Sequence, residues 1–70
     1  MMTSGTTVKT TAEIITDNGC WIDKDTPAMV LGVASASDPV IYLCETQDDD
    51  FEPEEFFCFE DNLELMEKVA

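Results

Sequence analysis

Three cysteines (Cys20, Cys44 and Cys58), sixteen carboxylates and no histidine make up the reactive inventory of this 70-residue chain. A nucleophilic thiol or hydroxyl works only beside a base or cation that lowers its pKa, and Lys9, Lys24 and Lys68 are the only cationic side chains present. Acid and base catalysis by two carboxylates requires one of them to be desolvated. Most of the carboxylates here lie in runs that must stay in water. A zinc site would want a fourth ligand and a close cysteine pair or a histidine, and the chain has neither. Asp48, Asp50 and Glu52 alternate as calcium ligands might. Counted from Asp48, however, the sixth and twelfth positions of a helix-loop-helix calcium loop fall on Pro53 and Phe59 instead of Gly and Glu. The expectation is a protein without catalytic residues, metal or cofactor. All three cysteines, set beside apolar residues, read as reduced core thiols.

Charge is the stronger functional signal. The net charge is −13, and it is unevenly spread: residues 1 to 44 carry five acids and two lysines, while residues 45 to 70 carry eleven acids and one lysine. Nucleic acid and acidic membrane surfaces select for lysine and arginine, so direct binding to either is excluded. Solubility alone asks for a net charge of about 2 to 8 in magnitude in a small domain. The excess points to a cationic partner, and the residues expected to meet it are Glu45, Asp48, Asp49, Asp50, Phe51, Glu52, Glu54, Glu55, Glu60, Asp61 and Glu64. Spaced carboxylates on a strand and its loops can compete with phosphates for lysine and arginine, with Phe51 and Phe56 as apolar anchors.

The elements that must position these groups are mostly strands. Residues 1 to 11 are rich in Thr and Ser and lack periodicity, which reads as a flexible lead, leaving 12 to 70 as one small domain. Ala12 to Thr16 and Cys20 to Ile22 flank Asp17-Asn18-Gly19, where Asn-Gly suits the positive φ angles of a tight hairpin turn. Ala28 to Ala34 reads as a third strand, with Met29, Leu31 and Val33 on its core face. Val40 to Glu45 follows as a central fourth strand, and Phe56-Phe57-Cys58-Phe59 as a fifth. From Glu60 to Val69 two patterns compete. Leu63, Met66 and Val69 fit a short helix or helical turn, which is the expectation, and Leu63 with Leu65 fit a strand. Trp21 and Tyr42 are expected to fill the core, the other reading being an exposed aromatic groove of the kind that grips proline-rich peptides. Met1 to Thr11 lacks the basic start and apolar stretch of a signal peptide, and no apolar run approaches the roughly 18 residues of a membrane span, so a cytoplasmic location is expected.

The segments Met29-Val30-Leu31-Gly32-Val33, Ile41-Tyr42-Leu43-Cys44-Glu45 and Phe57-Cys58-Phe59-Glu60-Asp61-Asn62-Leu63-Glu64-Leu65 resemble small Src-homology-3-like barrels of bacterial and phage proteins over residues 12 to 66. The resemblance implies a mainly β, five-stranded antiparallel barrel with a short C-terminal helix or helical turn. In composition, though in no motif, the chain is similar to small phage-encoded anti-CRISPR and anti-restriction proteins that act as DNA mimics. That similarity implies a stoichiometric inhibitor seated on the basic DNA-binding surface of a host defence effector, working in the host cytoplasm without a cofactor. Two other readings stay open: an acidic adaptor that binds a peptide or a phage structural subunit through an aromatic face, and an ordinary acidic domain of a halophile.

Overall fold

The computed structural model describes residues 2 to 47, 49 to 50 and 52 to 66. The chain is mainly β, with strands β1 (Thr7–Thr10), β2 (Ile14–Ile15), β3 (Trp21–Ile22), β4 (Pro27–Ser35), β5 (Ile41–Thr46), β6 (Glu55–Phe59) and β7 (Leu63–Leu65). A 3-10 turn, Glu60–Asn62, separates β6 from β7. Five strands form one antiparallel sheet in the order β6-β5-β4-β1-β7, and β2 pairs with β3 in a separate hairpin. β6 and β7 are therefore open edges, and the sheet does not close into the barrel that the sequence suggests.

Alternation along the strands sorts the residues into two faces. Val8, Ala28, Val30, Tyr42, Cys44, Phe56, Cys58 and Leu63 are buried on one face, and Ile22 of the hairpin joins them. The inner set contains one aromatic phenol, one phenyl ring and two thiols amid small aliphatics. That mixture suits a thin core lying under a short hairpin.

Several expectations are corrected here. Thr7–Thr10, assigned to a flexible lead, is a strand between β4 and β7, with Val8 and Thr10 fully buried. The segment holds one large apolar residue, and its second buried position is a threonine whose polarity is met internally. Thr10 Oγ1 donates to the Asp23 carbonyl at 2.8 Å and accepts from the Thr26 amide at 3.1 Å. In β4 the core-facing residues are Ala28 and Val30, not Met29, Leu31 and Val33. Register shifts between Val30 and Gly32 and between Val33 and Ser35 break the alternation that a regular strand would have kept. After β6, Leu63–Leu65 is a strand against β1, with Leu63 opposite Thr10, which is the alternative to the short helix or helical turn expected over residues 60 to 69. Val69, the last residue of that helical pattern, lies outside the described residues.

Other elements agree with the sequence. The hairpin pairs Ile14 with Ile22 and Ile15 with Trp21. Its turn is wider than a two-residue loop: the Thr16 amide donates to the Cys20 carbonyl, the Gly19 amide to the Thr16 carbonyl, both at 2.9 Å, and Gly19 has φ +82°. Only the glycine takes the left-handed region, as in a three-residue turn ending in a glycine bulge. β5 lies inside the sheet and β6 on its edge, both antiparallel, at the expected positions in the chain. Among the described residues no helix is long and apolar enough to cross a membrane.

Candidate functional site: acidic ends and an aromatic edge

Nine of the eleven residues singled out for partner binding are described, and they fall into three places. The connection between β5 and β6 carries most of them. Glu45 near the end of β5 and Glu55 at the start of β6 are cross-strand partners, and Asp49, Asp50, Glu52 and Glu54 lie between them. Asp48 and Phe51, the other two residues of this loop assigned to the site, lie outside the described residues. Two hydrogen bonds close the loop at its base: the Thr46 amide donates to the Glu54 carbonyl at 3.0 Å, and the Glu54 amide donates to the side-chain Thr46 Oγ1 at 2.9 Å. Gln47 Nε2 donates to Glu45 Oε1 at 3.3 Å. Asp49, Asp50, Glu52 and Glu55 are exposed, while Glu45 and Glu54 are half-buried.

Glu60 and Asp61 occupy a second place, the 3-10 turn at the opposite end of β6. There Glu60 Oε2 accepts a 2.6 Å hydrogen bond from the Tyr42 hydroxyl. The bond to this carboxylate, followed by burial, raises the tyrosine pKa above its ordinary value of 10.0. Glu64 stands at a third place, on the far edge strand β7, 3.7 Å from Lys9 Nζ, which also lies 3.9 Å from Asp25. Among the described residues the acids thus form no single row along one strand. They gather at one loop, bracket β6, and leave Glu64 across the sheet beside a lysine.

Phe56 was expected to anchor a partner alongside Phe51, but it is buried in the core at 3% exposure. Its strand neighbours Phe57 and Phe59 take the exposed positions instead. Alternation in a four-residue aromatic-rich run was visible in the sequence, and only its phase was hidden. Trp21 is likewise not a core residue: it is 65% exposed, because in the two-residue strand β3 the inward position belongs to Ile22. With Cys20, Asp23, Thr46, Glu52 and Glu54 it lines an open groove of about 380 Å³. Tyr42 is fully buried, as expected for a core aromatic, so no shared Trp21 and Tyr42 face exists.

Cys44 and Cys58 are buried and free, and burial pushes their thiols up to about 11 and about 12. A thiol held in that range is protonated and inert at neutral pH. Cys20 breaks the pattern by being exposed, because it follows Gly19 immediately at the hairpin turn. Among the described residues no group of His, Cys, Asp and Glu is placed to hold a metal ion. No known protein family, curated protein or solved structure matches the chain.

Proposed function

We propose that this protein is a stoichiometric inhibitor of a basic nucleic-acid-binding protein, an acidic DNA mimic of the anti-CRISPR type that occupies the surface where DNA would bind. The carboxylates at the β5 to β6 connection support it: Glu45 stands opposite Glu55, with the exposed Asp49, Asp50 and Glu52 in the loop between them. Like charges placed directly opposite on neighbouring strands destabilise a sheet. Holding them there gives up stability that a cationic surface restores on binding. A net charge of −13 also steers the chain toward such a surface over long range.

Competition tests this reading. A protein captured from bacterial lysate by the tagged chain should bind duplex DNA, should lose one ligand as it gains the other, and should be released as salt rises, because separated surface charges are screened beyond about 8 to 10 Å at 0.10 to 0.15 M. A captured protein that holds DNA and this chain together overturns the mimic.

A second reading, an acidic adaptor for a peptide or a phage structural subunit, draws on Trp21 and its groove. Under that reading Trp21→Ala abolishes capture, whereas neutralising Asp49, Asp50 and Glu55, which lie outside the groove, leaves it intact. The mimic requires the reverse.

A further inference from the structure

Away from the core, strand pairing sets Ile41 opposite Phe59 and Leu43 opposite Phe57 on the outer face of the sheet. Phe57 is 57% and Phe59 47% exposed. The Glu45 and Glu55 pair bounds this apolar row at one end, and Glu60 with Asp61 bounds it at the other. β6 is an edge strand, so the main-chain groups on its outer side have no partner strand among the described residues. A groove of about 380 Å³ lined by Ile15, Asp17, Leu43 and Phe57 opens beside it. Natural edge strands are commonly blunted by lysine, proline or extreme shortness. Between Glu55 and Phe59 there is neither lysine nor proline, and the exposed positions after Glu55 are aromatic.

We propose that β6 accepts an added strand from the partner, one that presents on a single face two apolar residues flanked by cationic ones. This rests on the reading of the chain as a ligand of a basic protein and names how that protein is gripped. Main-chain hydrogen bonds to the β6 edge would set the register. Apolar side chains would cover Phe57 and Phe59, and lysine or arginine would meet Glu55 and Glu45 at one end and Glu60 and Asp61 at the other. A second copy of the chain is the wrong occupant, because it would bring another net charge of −13 to the same edge.

The test uses three capped peptides at physiological salt: Lys-Thr-Leu-Thr-Leu-Thr-Lys, Lys-Thr-Ser-Thr-Ser-Thr-Lys with the same charge and no apolar face, and the first peptide with every amide N-methylated so that it cannot add as a strand. Binding is followed by amide chemical-shift changes on the whole chain. The expected result is that the leucine peptide binds at least about tenfold more tightly than the other two, equivalent to one decade in Kd, with changes centred on Glu55 to Phe59. The double variant Phe57→Ser, Phe59→Ser should remove that advantage and leave binding of the serine peptide unchanged. If all three peptides bind equally, or the changes stay within residues 49 to 54, the added strand is overturned while the charge-based reading stands. If none binds, both are overturned. A homodimer by sedimentation that Phe57→Ser dissociates overturns the proposal in favour of a second copy.

Discussion

The Tyr42 hydroxyl donates to Glu60 Oε2 at 2.6 Å and accepts from the Met2 amide at 2.8 Å, tying the beginning of β5 to the turn after β6 and to the segment before β1. Tyr42→Phe removes both bonds without changing the ring that fills the core. The expected outcome is a thermal midpoint lowered by on the order of 5 °C, measured by circular dichroism. Glu60→Gln, which keeps an acceptor but removes its charge, should lower it less. The double variant should resemble Tyr42→Phe alone, since the two changes remove one shared interaction.

Neighbouring phenylalanines on β6 should behave oppositely. Phe56 is 3% exposed and Phe57 is 57% exposed. Phe56→Ala should cost about 3 to 5 kcal/mol, a large share of the stability of a domain of this size. Phe57→Ala should cost under about 1 kcal/mol. Urea midpoints of the two variants decide it, and equal losses would contradict the face assignment.

Thiol labelling should be selective. Cys20 is exposed while Cys44 and Cys58 are buried with raised pKa values, so a native sample should react rapidly at one site and take up two further equivalents only in denaturant. Intact-mass measurement of the labelled protein counts them.

Stability should fall as pH rises above about 9. The ordinary thiol pKa is 9.0, and in the fold Cys44 and Cys58 keep their protons up to about 11 and about 12. Between these values the unfolded chain binds fewer protons than the native one, so alkaline pH favours unfolding. The raised Tyr42 pKa acts in the same direction above pH 10. Below pH 9 this contribution is fully present. Urea midpoints at pH 8 and pH 10.5 should therefore differ, and Cys44→Ala with Cys58→Ala should narrow the gap.

Salt and charge neutralisation should both stabilise the free protein. Raising ionic strength from 0.01 to 0.15 M shortens the screening length from about 30 to about 8 Å, which weakens repulsion across the β5 to β6 connection. Replacing Asp49, Asp50, Glu52 and Glu55 with Asn or Gln should raise the thermal midpoint at low salt and flatten its salt dependence.

Local chemistry explains which parts of this architecture were legible in the sequence. Asn18-Gly19 announced the hairpin because only glycine sits easily at positive φ, and the Phe56 to Phe59 run announced a strand because aromatic density favours a pleated surface. β1 was hidden: Thr10 is buried through hydrogen bonds from its hydroxyl, which no hydrophobic pattern records. The phase of β4 was hidden for another reason, since its register shifts depend on the partner strand. Trp21 and Cys20 were misplaced by residue type. Their exposure follows from a hairpin too short to bury both of its faces. For the site, the concentration of acids at the β5 to β6 connection could be read directly. The position of Glu64 across the sheet could not, because it depends on β7 pairing with β1.

That pairing also governs how the chain comes together in time. Val8 meets Leu65 and Thr10 meets Leu63, so the sheet is completed by contacts between near-opposite ends of the sequence. Contacts of such long sequence separation form late, because closing a long loop costs entropy before any packing offsets it. During synthesis, β4, β5 and β6 can pair as soon as they emerge, whereas β1 waits with one side open until residues 63 to 65 have been made. For that interval the growing chain exposes a threonine-rich strand edge and an uncovered Val8. The acidic residues made just before β7 keep like chains apart while it does.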